Sequence, residues 1–298
     1  MHTLDKTQPS RPPNLETFQP VRITRRGSDK RWRFHFWLVL LGAILLVYFF
    51  VPFRTNILLL GTDDSPQRGA LGRTDTIILT TIVPLKPYVG LLSIPRDLWV
   101  TIPNVGEQRI NTAYFFAEAQ QDGSGPRSIM ETIRQDFGVT VHYYALIHMG
   151  GLVGVIDALG GVDIQLEKPL GGLPAGAHHL DGAAALAFAR ERYSADDFLR
   201  MVQGQILLQA VLKKMLSPGS WPRLPSVAAA LSKVVQSNIP AWQWPRLSFA
   251  LLRAFWVGMD SRTISREMVT PFTTSGGAQV LAPKWEVIRP LVKEMFNP

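Results

Sequence analysis

The sequence predicts an α/β domain, a mixed central β-sheet flanked by helices, preceded by one transmembrane helix. Three observations carry this. The uncharged run FWLVLLGAILLVYFFVPF occupies residues 36–53. Behind it, short β-rich runs interleave with helical stretches, the pattern of a layered α/β fold. The 298 residues are 46% hydrophobic, with a mean hydropathy of +0.09, enough for one large domain with its own core.

Residues 1–33 are rich in Pro, Arg and Thr, lack apolar periodicity, and read as a disordered basic tail. They carry +5 of the chain's formal net charge of +8. The positive balance is thus mostly a matter of topology and argues little for nucleic acid. The next segment, 34–53, is the transmembrane helix. At about 1.5 Å per residue its 18-residue uncharged run covers roughly 27 Å, against a bilayer core of about 30 Å. Trp32, Trp37 and Tyr48 suit the membrane interfaces. The run starts late and has no small-x-small site before Thr55, which favours an anchor over a cleaved signal. Basic residues on its N-terminal side place 1–33 in the cytoplasm and 54–298 outside, a single-pass arrangement in the cell membrane. The chain has no cysteine, so it has neither a disulfide framework nor a thiolate metal site.

The outer domain divides into a core, 55–216, and a C-terminal helical part, 217–298. Thr55–Leu60 reads as a buried strand. Asp75–Val83 and Tyr88–Ile94, split by PLKP, read as a hairpin. RINTAYFFAEAQQ starts a helix near Thr112 that stops in DGSGP. Pro126 opens another helix and Gly138 closes it. VTVHYYALIHM is a strand, GGLVGVIDALGG a short apolar helix, and GGVDI a strand. LDGAAALAFARER is a helix with Asp181 as N-cap. A second helix follows, capped near Ser194 or Asp196 and ending before Pro218. Trp- and Pro-punctuated helix fills 217–260. A strand near Gln279–Leu281 and a helix from Pro283 or Lys284 to Phe296 close the chain. No internal repeat is visible.

Charged residues gather at the ends of these elements: Asp63, Asp64, Arg73, Asp75, Arg96, Asp97, Arg109, Arg190, Arg192, Asp197 and Arg200. The set contains no hydrolase triad, and the chain has no G-x-S-x-G. Arginine's planar fork matches phosphate bidentately. Carboxylates at strand ends are the hard oxygen donors that Mg²⁺ takes beside substrate phosphates. Together they suit a diphosphate, with the metal bridging phosphate oxygens and arginines neutralising the rest. Any single Asp–Arg pair is otherwise a surface ion pair worth about 0–1 kcal/mol. His142 and His148 fall on one strand face, and His178 and His179 in a loop. None has zinc-site spacing, so packing roles are expected. LVGVIDALGG, ALAF and ILLQAVLKKML fill a core or line an apolar, lipid-tail pocket beside the arginines.

NILLLGTDD, GRTDTIIL, LLSIPRDLWV, RINTAY, ALGGVDI and LDGAAALAFARER…DDFLR occur in the order found in LytR-CpsA-Psr (LCP) proteins, and the chain resembles that family over roughly 55–216. The resemblance implies an LCP-like α-β-α domain outside the membrane. It implies a phosphotransferase that takes a glycopolymer from a polyprenyl-pyrophosphate carrier and joins it by a phosphodiester to peptidoglycan or another wall glycan. Carried over by motif, Asp63 and Asp75 are the Mg²⁺ (or Mn²⁺) carboxylates. Arg73, Arg96, Arg190, Arg192 and Arg200 form the pyrophosphate clamp, with Asp75, Arg96 and Arg73 at the reacting centre. Arg109 stands where the family commonly has lysine, keeping the charge but not the point-charge geometry. Asp97 and Asp197 are supporting carboxylates. Where the family continues with R-Q-Q, this chain has Gln203, Gly204 and Gln205; only Gln205 matches, as a head-group contact. The implied partners are the lipid-linked donor, the wall-glycan acceptor and membrane lipid, with no nucleic acid. The alternatives are a hydrolase of the same donor, a non-catalytic sensor of lipid-linked precursors, and a transcriptional regulator, which the topology opposes.

Overall fold

The computed structural model describes residues 30–50, 53–62, 74–85, 88–191 and 197–296. Helix α1 (Lys30–Phe50) contains a stretch, Trp32–Phe50, that is long and apolar enough to cross a membrane by length and composition. The elements that follow are β1 (Thr55–Thr62), β2 (Thr74–Val83), β3 (Tyr88–Ser93), β4 (Trp99–Ile102), β5 (Gly106–Arg109), α2 (Ile110–Gln120) and α3 (Gly125–Phe137). Then come β6 (Tyr143–His148), α4 (Leu152–Leu159), β7 (Val162–Leu166), β8 (Gly176–Leu180), α5 (Gly182–Arg190) and α6 (Asp197–Leu216). The chain continues with α7 (Leu224–Val234), β9 (Val235–Ser237), α8 (Trp244–Val257), β10 (Asp260–Thr263), β11 (Val269–Thr273), β12 (Gln279–Pro283) and α9 (Trp285–Phe296).

The central sheet has the order β10-β3-β2-β1-β6-β9. β1 pairs antiparallel with β2 and parallel with β6, and β3 pairs antiparallel with β2 and parallel with β10, so the sheet is mixed as expected. β1 is central and buried along nearly its whole length, as a strand covered on both faces is. Alternation then sorts its side chains. Leu58 and Leu60 face a core shared with α2, α3 and α9 through Ile110, Ile133, Val292 and Phe296. Ile57 faces the other way, onto Leu247, Ala250 and Ala254 of α8. A third cluster joins α4, β7, α5, α6 and α7 around Ile156, Phe188 and Leu207.

Local signals set the boundaries. Pro126 lies in the first turn of α3, and Gly138 ends it at φ 70°, a left-handed value that glycine adopts without a Cβ penalty. Asp181 caps α5, its carboxylate accepting from the amide of Ala184 at 2.8 Å. Several expectations are corrected. α2 begins at Ile110 rather than near Thr112. His178 and His179 lie on β8, paired with β7, rather than in a loop. The β4–β5 hairpin, β8, β9, β10 and β11 are additional strands. Residues 217–260 are not continuous helix: β9 lies between α7 and α8 and adds to the sheet edge. Ser194 and Asp196, the expected caps of α6, lie outside the described residues.

Candidate functional site

The site is built where β2 enters the sheet and β3 leaves it. In the β1–β2 ladder Gly61 stands opposite Thr76 and Thr62 opposite Thr74, so Asp75 is an extra residue, a β-bulge. Bulges re-aim side chains at sheet rims. Pro95 follows β3 and has no N–H for a ladder. The chain turns there, fixed by Leu98 N–H to Pro95 carbonyl (3.1 Å) and Asn111 N–H to Arg96 carbonyl (3.2 Å).

This turn delivers Arg96 onto Asp75, with Nη1 donating to Oδ1 at 2.7 Å. Arg96 Nε lies 3.4 Å from Asp97 Oδ2, and Arg109 Nε lies 3.2 Å from Asp97 Oδ1. Arg109 stands at the junction of β5 and α2, and its Nη2 donates to the Gln279 carbonyl at 2.8 Å. Asp75, Arg96, Asp97 and Arg109 thus form one alternating ion-paired chain, each side chain about three-quarters buried.

Thr76, next to Asp75 on β2, lines an apolar cavity of about 120 Å³, with Gly61 and Ile78 of the sheet and Leu152, Gly204 and Leu231 of the covering helices. Ala189, the neighbour of Arg190, also lines it. Arg200 precedes Gly204 by four residues and so shares that face of α6. The helices expected to fill a core or line a pocket do both. On the Asp97 side is an open groove of about 770 Å³, bounded by Phe198, Arg266, Phe272 and Gln279. Trp99 meets Phe272 edge to face at 5.8 Å beside it.

The described ion pairs therefore bring together Asp75, Arg96, Asp97 and Arg109. Arg190 closes α5 and is exposed; Arg200 lies in the first turn of α6 and is half-buried. Gln205 is committed elsewhere: its Nε2 donates to the Arg262 carbonyl at 2.6 Å and its Oε1 accepts from the Thr263 hydroxyl. Gln205, expected as a head-group contact, thus ties α6 to β10. Asp63, Arg73 and Arg192 lie outside the described residues, as does the side chain of Asp197. Sequence reasoning missed Gln279, which acts through its main chain, and the groove aromatics Trp99 and Phe272. His142 and His148 make local bonds, to the Asn56 N–H (3.0 Å) and the Thr62 hydroxyl (3.2 Å).

The residues fit a hard divalent cation only as a shared site. Among the described residues no group of three His, Cys, Asp or Glu side chains is placed to hold a metal. Mg²⁺ needs no such cage, since it takes one or two carboxylates and draws its other oxygens from phosphate and water. Asp75 is a carboxylate of that kind, with Oδ1 held by Arg96.

The LytR_cpsA_psr family model matches residues 53–281. The polyisoprenyl-teichoic acid–peptidoglycan teichoic acid transferase TagU of Oceanobacillus iheyensis is 36% identical over 190 residues, 62% of this chain and 58% of its own. The probable cell wall biosynthesis protein LcpB of Corynebacterium glutamicum is 32% identical, over 66% of this chain and 52% of its own. The regulatory protein MsrR of Staphylococcus aureus is 31% identical, over 63% and 57%. The chain thus spans a little over half the length of these relatives. Among solved structures, Bacillus subtilis TagV superposes with a TM-score of 0.66 at 24% identity, over 83% of this chain and 98% of its own. TagT bound to LIIa-WTA superposes with a TM-score of 0.65 at 22% identity, over 82% and 90%.

Proposed function

This chain belongs to the LytR-CpsA-Psr family, and from that premise we propose that it transfers a glycopolymer from a polyprenyl-pyrophosphate carrier to peptidoglycan or another wall glycan. The observation that carries this reading is the ion-paired Asp–Arg chain, whose Asp97 lines an open groove and whose Asp75 is followed on β2 by Thr76, which lines an apolar cavity. A lipid-linked diphosphate has three matching parts: an anion, a saccharide and an apolar tail. TagU, a relative at 36% identity, is a teichoic acid transferase by name, which supports the same class of reaction.

Charge decides how the site is completed. Asp75 and Asp97 balance Arg96 and Arg109, so the described chain is neutral. A diphosphate adds further negative charge and needs further cations. Arg73, Arg190, Arg192 and Arg200 would supply them, and Asp75 and Asp63 would hold a Mg²⁺ (or Mn²⁺) that adds to them. When bound, the metal withdraws charge from the phosphate oxygens. The acceptor hydroxyl attacks the phosphorus nearer the glycan, and the bond from that phosphorus to the bridging oxygen breaks. A phosphodiester forms, polyprenyl phosphate leaves, and the hydroxyl proton passes to a carboxylate. With its Oδ1 on Arg96, Asp75 offers Oδ2 for metal contact or that proton. Arg96 orients Asp75, and Arg109 holds Asp97 against Arg96. We place α1 across the cell membrane with 1–33 in the cytoplasm and the domain outside.

The test is the full chain with lipid-linked donor, peptidoglycan oligomers and Mg²⁺, with products read by mass spectrometry. Glycan joined to the acceptor through phosphate is expected. Free phosphoglycan alone would indicate the hydrolase, and intact donor bound without turnover the sensor. Asp75→Asn and Arg96→Ala are each expected to lower turnover by about 10²–10³-fold with a thermal transition close to wild type. Unchanged transfer by either variant removes these residues from the mechanism.

A further inference from the structure

The face of α8 that points away from the sheet is not built for water. α8 buries Leu247, Ala250 and Ala254 against the sheet. Yet Trp242, Trp244, Trp256 and Val257 in and beside it are exposed, Trp256 at 78%. Two distant apolar residues are drawn to the same helix. Arg246 Nη2 donates to the Phe53 carbonyl at 2.7 Å, and Arg253 Nη1 donates to the Pro84 carbonyl at 2.6 Å. Phe53 is 70% exposed, and Leu85, at the tip of the β2–β3 turn, 50%. Six large apolar residues from three separate parts of the chain are therefore gathered around α8 and exposed. Contiguous exposed patches of this kind mark interaction surfaces.

The last turn of α1 says what covers them. Phe249 packs edge to face on Phe49 at 5.1 Å and on Phe50 at 5.6 Å. Arg253 lies 5.2 Å over the Phe50 ring, and the Tyr48 hydroxyl donates to the Trp242 carbonyl. Trp256 follows Phe249 by seven residues and continues the same helix face. The exposed patch is thus continuous with residues at the end of the apolar α1 helix. Tryptophan is the side chain that settles at the boundary of hydrocarbon and head groups.

We propose that Phe53, Leu85, Trp242, Trp244, Trp256 and Val257 form a membrane-docking rim that enters the interfacial layer of the bilayer in which α1 is anchored. This rests on the reading that α1 spans the membrane, and the test separates the two.

The absence of native cysteine makes single-site labelling clean. The full chain carrying one of Leu85→Cys, Trp256→Cys, Val105→Cys or Leu45→Cys is labelled with an environment-sensitive fluorophore. It is reconstituted in phosphatidylcholine–phosphatidylglycerol vesicles with and without lipids brominated on the acyl chain. Val105 is exposed in the β4–β5 turn, away from α8, and serves as the aqueous reference; Leu45 reports insertion of α1. Labels at 45, 85 and 256 are expected to emit at shorter wavelength and lose most of their emission to bromine, while that at 105 keeps its own. Quenching at 45 with 85 and 256 as unquenched as 105 overturns the rim and leaves the anchor standing. No quenching at 45 overturns the anchor itself, and the rim with it. Because 85 and 256 lie on different elements, misfolding of one variant leaves the other to decide.

Discussion

Asp75 reaches the site because one residue too many sits in the β2 ladder. The bulge opposite Gly61 and Thr62 is invisible in the composition of GRTDTIIL, which reads as an ordinary strand entry. What was legible was the residue type: a carboxylate and an arginine, each at the end of an apolar run, stand out because burying either without a partner is costly. Asp75 and Arg96 were found that way, and they meet. Gln279 was not legible, because a backbone carbonyl leaves no trace in side-chain chemistry. Gln205 shows the opposite failure, matching by position while its carboxamide serves the α6–β10 contact. His142 carries a prediction at this scale. Partial burial lowers its pKa below the ordinary value of 6.5, and its Nδ1 accepts from the Asn56 N–H. The folded state then binds the proton less readily than the unfolded chain, so stability should rise with pH in the window just below 6.5. The contribution is complete above that value and lost as pH falls through the folded pKa. Urea titrations from about pH 5 to 7 should show this slope, and His142→Gln should flatten it. A slope unchanged in the variant would assign it to another group.

Elements were legible in proportion to their length and to the strength of their end signals. α3, α5 and α9 announced themselves through Pro126, Asp181 and a long amphipathic run. The β4–β5, β7–β8 and β11–β12 ribbons are three separate two-stranded sheets with strands of four or five residues. Such ribbons are marginal alone and exist because the rest of the fold covers them, so local pattern says little about them. α6 holds the informative irregularity. Gly204 lies inside a helix, where glycine costs about 1 kcal/mol relative to alanine, yet a Cβ built there meets nothing within 4 Å and faces the apolar cavity. The departure from the family's R-Q-Q thus leaves room in the cavity. Gly204→Ala should stabilise the protein by about 0.5–1 kcal/mol, seen as a raised denaturation midpoint. Gly204→Phe should fill the cavity and raise KM for the lipid-linked donor, with little change in kcat. Asp181→Ala, which removes the α5 cap, should cost about 1 kcal/mol.

At the scale of the whole molecule, the layered α/β architecture followed from interleaved periodicities, and the strand order did not. That β10, far along the sequence, lies beside β3 is set by α8 crossing the sheet. The cavity's volume bears on donor choice. About 120 Å³ is small against the roughly 300–1,000 Å³ of ordinary ligand pockets, so only the first part of a polyprenyl tail gains by entering. Each buried methylene is worth about 0.8 kcal/mol. KM should therefore fall steeply over the first isoprene units of a donor series and then level off. A steady fall to the longest tail would mean that the cavity opens much further. Arg109 bonds to Gln279 across 170 positions, and Leu281 bonds back to Asp97 across even more. Contacts so distant in sequence form late, after the long intervening loop has closed. A nascent chain that has ordered its sheet but not yet laid down β12 has its anion clamp unfastened. The β11–β12 hairpin is thus the clasp that fastens Arg109 and the backbone of Asp97, joining two distant parts of the chain at the site.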